Sequence, residues 1–191
     1  MSEYRLFMLL LGSSPAGRNT EQHDVFFTIV KTLHEVIPAV HKFWPEAVGN
    51  IHIDGWREVN CVDGFNIVVK ERNQLSSNEQ TETLFFINLG GYKKNEFEEF
   101  HYKIVTVAKS KGEAVKRSKQ SAFYLHTGYK GAESHIDDKY GVDADDVHAI
   151  DDILSKDEKE KFQIIISKAI NGSEDEIQMG YLTLNRLEKT S

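Results

Sequence analysis

The chain has 191 residues, 40% of them hydrophobic, and carries 23 Lys and Arg against 30 Asp and Glu, which gives a formal net charge of −7. This composition excludes a wholly disordered protein, and the net acidity argues against nucleic-acid or anionic-membrane binding, because both need a basic surface. The single cysteine, Cys61, excludes an internal disulfide framework and a multi-cysteine zinc site.

Residues 6–11 form an apolar run near the start of the sequence, where a secretory signal peptide would lie. The run lacks the other features of a signal peptide. Only Arg5 precedes it as a positive charge, and six apolar residues are fewer than a signal usually has. A similar run at 84–89 lies in the interior of the chain. No segment has the roughly 18 to 20 continuous apolar residues of a membrane-spanning helix. We therefore expect a cytoplasmic protein that does not bind a membrane.

The first half of the chain predicts two strands, a helix and two further strands. The strands are expected over 6–11, 23–30, 51–60 and 65–69. Thr32-x-x-Glu35 has the spacing of a capping box and predicts the helix start, and Pro45 ends the helix. Pro38 lies inside this helix, so we expect either a kink or a later start.

The second half predicts the same order. Its strands are expected over 84–89, 101–108 and 162–167, with a final strand over 179–187. A second capping box, Ser110-x-x-Glu113, predicts a helix over about 111–123.

The two halves also match in sequence. Shifting the chain by 78 positions aligns 6–40 with 84–118 and gives nine identities in 35 pairs, where about two are expected from average composition. His52-Ile53-Asp54 then matches His135-Ile136-Asp137. The sequence therefore predicts a tandem duplication.

The predicted domains follow from this match. Repeat one covers 4–72, a polar linker covers 73–81, and repeat two covers 82–168 with an acidic insertion at about 143–161. Residues 169–191 are expected to form a C-terminal hairpin or tail. The element order indicates an α+β fold of two tandem ββαββ repeats, each like the β-grasp (ubiquitin-like) roll, with a ferredoxin-like sandwich as the alternative.

Several motifs carry a family resemblance. They are Leu-Phe-x-x-x-Leu-Gly, Glu-x-His, His-Ile-Asp-Gly-Trp, Val-Asp-Gly-Phe and Phe-Ile-Asn-Leu-Gly-Gly-Tyr, at 6–12, 21–23, 52–56, 62–65 and 86–92. Together they resemble the bacterial domain-of-unknown-function family 1543 over roughly residues 4–150. Gly12 is followed by Ser13 where that family often has a second glycine. The resemblance implies a fold neighbourhood and brings no activity with it.

Two histidine motifs occur once in each predicted repeat. Glu-x-His lies at the entrance of the second strand and His-x-Asp near the third, and residues two apart in a strand share a face. If those strands are neighbours, each repeat gathers two imidazoles and two carboxylates, a set suited to Zn, Mn or Fe or to acid–base work. The candidate metal or acid–base residues are Glu21, His23, His52, Asp54, Glu99, His101, His135 and Asp137. A structural role, such as a bond to a backbone carbonyl or a turn cap, is the alternative.

The function that the sequence favours is a non-enzymatic binding or interaction module, because sheet edges and faces commonly bind partners. An exposed apolar patch or an open sheet edge would support that function. The alternative is a metal-dependent or acid–base enzyme, which requires Glu21, His23, His52 and Asp54 to converge in one cleft. A divalent metal is the one cofactor considered. The partner is expected to be a protein or small molecule rather than nucleic acid, and the oligomeric state is left open.

Overall fold

The computed structural model describes residues 3–47, 49–74, 80–92, 95–120 and 147–189. Packing divides the chain into unit 1, from Met1–Ser77 and Leu154–Ser191, and unit 2, from Asn78–Ile153. The end of predicted repeat two, 154–168, therefore lies in unit 1. Parts of the predicted linker (75–79), of the acidic insertion (143–146) and of the second helix (121–123) lie outside the described residues. The duplication and its boundaries stay predictions.

The protein is a mixed α+β protein with several antiparallel sheets and few helices. Its described elements are, in chain order, β1 (Arg5–Ser13), β2 (Gln22–Val30), α1 (Ile37–Phe43), β3 (His52–Glu58), β4 (Cys61–Val62), β5 (Phe65–Glu71), β6 (Thr83–Tyr92), β7 (Glu99–Ala108), α2 (Lys111–Ser118), β8 (Val147–Ala149), α3 (Ile150–Ile153), α4 (Lys156–Lys161), β9 (Phe162–Lys168), β10 (Gln178–Thr183) and α5 (Leu184–Glu188). The β-grasp roll, the ferredoxin-like sandwich and the tandem ββαββ repeats stay predictions.

A four-stranded sheet in the order β10-β3-β1-β2 forms the centre of unit 1. The central strand β1 is an apolar run because it is buried on both faces: Phe7, Leu9 and Leu11 point to one side and Leu6 to the other. The first side packs against α1 and α5, and its buried side chains are Phe7, Leu9, Leu11, Val36, Ile37, Val40, Ala47, Ile51, Ile53, Leu184 and Leu187. We call this side of the sheet the helix-covered face.

The helix after β2 begins later than the capping box suggests. Leu33–Val36 is a turn of 3-10 helix, and the Thr32 side chain makes no capping hydrogen bond within the described residues. The α-helix starts at Ile37, with Pro38 in its first turn. Proline suits that position because its fixed φ matches a helix and its missing N–H would have no partner there. The later start predicted from Pro38 is therefore observed.

A second, three-stranded sheet in unit 1 has the order β4-β5-β9. β5 and β9 pair antiparallel along their whole length, from Phe65 opposite Lys168 to Glu71 opposite Phe162. The prediction of a final strand over 179–187 is wrong for residues 184–187. β10 ends at Thr183, whose hydroxyl accepts a hydrogen bond from the Arg186 N–H and caps α5, which buries Leu184 and Leu187.

Unit 2 contains the sheet β7-β6-β8 with α2 packed on it. The second capping box predicts the start of α2 correctly, since the Ser110 hydroxyl accepts a hydrogen bond from the Glu113 N–H at 3.2 Å. Ala114 is fully buried against β6, as its inward position predicts. Among all described residues, no helix is long and apolar enough to cross a membrane.

The carboxylate of Glu158 links α4 to the edge strand β2. Its Oε1 accepts hydrogen bonds from the Thr28 hydroxyl and the Ile29 N–H, both at 2.7 Å. Its Oε2 accepts from the Ser155 N–H at 2.9 Å and from the Ser155 hydroxyl. One side chain thus closes the capping box of α4 and occupies an outward N–H of β2, a group that would otherwise be free to pair with another chain.

We expect Glu158→Ala to lower the free energy of unfolding by about 2–3 kcal/mol, because it leaves several donors without their charged acceptor. Glu160→Ala is the matched control. Glu160 is exposed on the same helix and lies 3.8 Å from Lys156, so its removal should change stability by less than about 0.5 kcal/mol. Urea denaturation of the two variants measures the difference, and equal effects would contradict the assigned role of Glu158.

Candidate functional site

Three neighbouring strands place His23, Gly12 and His52 side by side. In the described register, Gly12 of β1 lies opposite His23 of β2 and also opposite His52 of β3. Directly opposed residues of neighbouring strands share one face of a sheet. This face is the one away from α1 and α5, because Leu11, the next residue of β1, points into the helix-covered core. The two imidazoles therefore flank the glycine on the same side.

Asp54 enters this row through an irregularity of β3. Leu10 pairs with Gly55 and Leu11 pairs with Ile53, so Asp54 is an extra residue opposite no residue of β1. A bulge of this kind bends a strand and re-aims a side chain, and bulges are frequent beside functional sites. Glu21 lies two residues before His23 and points to the same side.

The four side chains meet through contacts between imidazole Nε2 atoms and carboxylate oxygens. His52 Nε2 lies 3.0 Å from Glu21 Oε1 and 3.4 Å from Asp54 Oδ1. His23 Nε2 lies 3.3 Å from Asp54 Oδ2 and 3.7 Å from Glu21 Oε2. Each imidazole thus faces both carboxylates. We call Glu21, His23, His52 and Asp54 the imidazole–carboxylate cluster.

The cluster is buried on one side and open on the other. The His52 side chain is 6% exposed and that of Asp54 is 23% exposed, whereas Glu21 and His23 are exposed. Asp54 Oδ2 is completely buried, yet it accepts no hydrogen bond from any described residue, although it lies 3.3 Å from His23 Nε2. Buried carboxylate oxygens are normally satisfied, because an unpaired one loses its hydration without compensation. Asp54 Oδ2 therefore has unused capacity to bind a cation or a donor.

Gly12 provides the space in which the cluster meets. A Cβ atom at this position would collide with His52 Nε2 and would lie 2.5 Å from Asp54 Oδ2. Any side chain on the central strand would therefore displace both groups. The Leu-Gly pair that ends the first apolar run is the sequence signal of this requirement, although it suggests a turn rather than a close approach of side chains.

The eight sequence-predicted residues have three different outcomes. Glu21, His23, His52 and Asp54 come together, as the enzyme hypothesis requires. Glu99 and His101 lie on β7 in unit 2. Their carboxylate Oε2 and imidazole Nε2 are 3.7 Å apart, and His101 Nδ1 lies 3.0 Å from the amide nitrogen of Asn88. His135 and Asp137 lie outside the described residues.

One neighbour of His52, on the side toward β10, was not predicted from the sequence. The ring of Tyr181, on β10, lies 4.4 Å from the ring of His52. The register between β10 and β3 shifts between Met179 and Leu182, and Gly180 has a φ of +148°, which a residue with a side chain rarely adopts. Glycine inside a predicted strand is the available signal, since it often marks a bulge.

The segment before β10 is held in place by the residues that follow β3. The carboxylate of Asp175 accepts hydrogen bonds from the N–H groups of Asn60 and Cys61, at 2.8 and 3.0 Å. Burial lowers the pKa of the Arg57 guanidinium, and the carboxylates of Asp175 and Glu174 act in the opposite direction. The segment that leads into β10 is thus anchored beside β3.

The cluster is not a formed metal site as it stands. Over the part of the chain that the structure describes, no group of three or more His, Cys, Asp or Glu side chains has a geometry that could hold a metal ion. The four side chains contact one another instead. Their chemistry allows proton exchange between imidazole and carboxylate, and all four offer nitrogen or oxygen donors that can reorient around a cation.

Comparison with known proteins agrees with the fold and assigns no activity. Residues 18–69 match the model of the family described as Domain of Unknown Function (DUF1543), which confirms the resemblance for this segment. The segment contains all four cluster residues. A crystal structure of a protein Il1583 from Idiomarina loihiensis is similar with a TM-score of 0.60 and 20% identity, over 95% of this chain and 97% of that chain. That likeness concerns the fold alone. No curated protein matches the sequence.

We expect Gly12→Ala to disrupt the cluster and to lower the free energy of unfolding by about 1–3 kcal/mol, the usual cost of overpacking. The imidazole signals of His23 and His52 in NMR spectra should both shift. Gly112→Ala is the control, because a Cβ there meets no atom within 4 Å. Unchanged imidazole signals in Gly12→Ala would show that the central strand does not constrain the cluster.

Proposed function

We propose that this chain, whose residues 18–69 match the DUF1543 family model, is a metal-dependent enzyme that binds a divalent transition-metal ion at the imidazole–carboxylate cluster. The observation that carries the proposal is the convergence of two imidazoles and two carboxylates over Gly12, with the buried Asp54 Oδ2 lacking a hydrogen bond within the described residues.

The donor set fits such an ion. Two histidines with one or two carboxylates suit Zn²⁺, Mn²⁺ and Fe²⁺, and both imidazoles present the same atom, Nε2, to the centre of the cluster. The four nitrogen–oxygen distances run from 3.0 to 3.7 Å. Donors of a tetrahedral zinc site with bonds of 2.0–2.1 Å stand about 3.3 Å apart. The two imidazoles contact different oxygens of each carboxylate, so the side chains must rotate before they can face one ion.

Electrostatics favours a cation at this place. The cluster brings two carboxylates together, one of them largely buried, and His52 between them is buried as well. The nitrogen and oxygen atoms that would bind a metal ion are also atoms that bind protons. Protons and a metal ion therefore compete for the same donor atoms, and acid weakens metal binding.

The four side chains divide into two kinds by position. His23, His52 and Asp54 belong to paired strands and are held in place, so we assign them as the ligands. Glu21 precedes β2 and is exposed, so its carboxylate can accept a proton from an attacking water. A bound divalent ion would lower the pKa of that water.

A non-enzymatic interaction module is the second candidate function. The exposed apolar side chains of Met179 and Tyr181, on the sheet-edge strand β10, support it. Such a module would bind its partner without a metal and without dependence on His23. The metal-dependent function is favoured because the interaction module does not require four ionisable side chains to meet above a glycine.

We expect close to one transition-metal ion per chain, by plasma mass spectrometry on protein purified without chelator. His23→Ala and His52→Ala should each lower the metal content at least tenfold, because each removes a nitrogen ligand. His41→Ala is the matched control, since His41 is exposed on α1 and should leave the metal content unchanged. Folded protein without metal, before and after incubation with Zn²⁺, would refute the metal site.

We expect Glu21→Gln to keep its metal and to lose hydrolytic activity at least a hundredfold, because Gln cannot accept the proton. Hydrolysis of p-nitrophenyl acetate by zinc-loaded protein, with metal content measured on the same sample, tests both halves. Glu46→Gln, a change at an exposed glutamate of unit 1, serves as control. Loss of the metal itself in Glu21→Gln would make Glu21 a ligand and contradict its assignment as the base.

A further inference from the structure

The two edges of the four-stranded sheet in unit 1 differ in how they are protected. An edge strand presents N–H and C=O groups that can pair with another chain, and proteins usually block them. On β2, the N–H of Ile29 donates to Glu158 and the N–H of Val25 donates to Asp24 Oδ1, both at 2.7 Å. Carboxylates thus occupy two positions along this edge, which makes β2 a poor edge for a further strand.

The opposite edge, β10, has no such protection among the described residues. Of the described strands, β3 alone pairs with it, so alternate N–H and C=O groups of residues 178–183 point away from the sheet. Within the described chain, no side chain accepts a hydrogen bond from a backbone N–H of this strand. This edge therefore keeps its capacity to pair with an additional strand.

The same edge carries three exposed apolar side chains. Ile177, Met179 and Tyr181 are 58%, 70% and 65% exposed, and we call them the apolar strip. Met179 and Tyr181 lie on the face of the sheet that carries the cluster, because the Met179 sulfur covers Gly55 and the ring of Tyr181 lies 4.4 Å from that of His52. Ile177 lies two residues before Met179, and the period of a strand places it on the same side. Neighbouring exposed apolar side chains of this kind mark interaction surfaces.

The apolar strip is symmetric about its middle residue. When two β10 strands pair antiparallel around a two-fold axis at Met179, this residue faces Met179 of the partner subunit, and Ile177 faces Tyr181 of the partner subunit. All six apolar side chains then lie on one face and cover one another. Pairs of aromatic and β-branched residues are among those that stabilise neighbouring strands. A two-fold arrangement therefore buries the whole strip without any other partner.

The charges at the two ends of β10 favour the same orientation. Glu174 and Glu176 lie just before the strand and are exposed. Residues 184–189, just after it, carry Arg186 and Lys189 against Glu188. An antiparallel pair brings the acidic end of one chain next to the more basic end of the other, whereas a parallel pair would set the two acidic ends side by side. Charge complementarity thus favours a second copy of this chain in antiparallel orientation.

We propose that β10 is a self-association surface, at which two copies of this chain pair antiparallel and join their four-stranded sheets edge to edge. The inference goes beyond the metal-dependent function and requires no metal ion. Because Tyr181 contacts His52, Ile177 of the partner subunit packs next to the aromatic neighbour of the cluster. The interface consists of one short strand and the apolar strip from each copy, so the dimer is in exchange with the monomer rather than permanent.

Sedimentation velocity on the full chain tests the proposal. Wild type should form a dimer with a dissociation constant on the order of 10 μM. Met179→Lys and Met179→Glu should each weaken the dimer at least about tenfold, because each replaces an apolar contact by two like charges directly opposite one another. An equimolar mixture of the two variants should recover the dimer, since Lys then faces Glu. Ile170→Lys is the matched control, because Ile170 is an exposed apolar residue of unit 1 outside the strip.

Cysteine cross-linking tests the orientation of the two strands. Met179→Cys should form a disulfide-linked dimer on mild oxidation, because the two-fold axis sets this position against itself at a distance that a disulfide can span. Ile177→Cys should not, since Ile177 faces Tyr181 of the partner subunit. The native Cys61 is buried and stays in both variants.

Every other outcome overturns the proposal. Wild type that stays monomeric up to about 200 μM would exclude a dimer of the expected strength. A dimer that neither Met179→Lys nor Met179→Glu weakens would form through another surface. A mixture that does not recover the dimer, or Ile177→Cys that cross-links as readily as Met179→Cys, would contradict the antiparallel two-fold arrangement. None of these measurements involves the metal content, so the metal-dependent function is tested separately.

Discussion

The candidate site depends on the absence of one side chain. Gly12 lies in the middle of the central strand, between His23 and His52, and a Cβ there would strike His52 and Asp54. Because β1 carries no atom in that space, side chains from both neighbouring strands can meet above it. The two imidazoles then approach both carboxylates at 3.0–3.7 Å. His23, His52 and Asp54 lie on strands of the sheet, and Glu21 immediately precedes β2.

The two faces of this sheet have different roles: one packs into the core that stabilises unit 1, and the other carries the candidate site. Leu9 and Leu11 of β1 are completely buried on the helix-covered face, where they supply the apolar contacts that stabilise unit 1. The other face carries the polar side chains of the imidazole–carboxylate cluster, next to Gly12. Glu158 and Asp175 hold a helix and a loop of unit 1 to the strands by accepting backbone hydrogen bonds. The cluster can therefore carry unsatisfied groups, such as Asp54 Oδ2, without depending on them for folding.

Much of the fold could be predicted from the sequence because its signals are local. The apolar runs at 6–11 and 84–89 become β1 and β6, and the Ser110–Glu113 capping box starts α2. Two predictions fail. Within the described residues the Thr32 side chain makes no capping hydrogen bond, because the α-helix starts later, at Ile37, with Pro38 in its first turn. The strand predicted over 179–187 becomes a helix from Leu184, where tertiary packing outweighs the local pattern. The final helix forms because Leu184 and Leu187 fill the core at helical spacing.

The sequence by itself determined which residues could form a site: the period of two in a strand puts Glu21 with His23, and His52 with Asp54, on common faces. Only the tertiary structure decided that β2 and β3 flank β1, and so bring the two pairs together over Gly12. The register shift that places Tyr181 beside His52 was equally beyond the sequence. The physical reason is that strand order and register depend on packing between residues far apart in the chain, whereas strand periodicity is a property of neighbours.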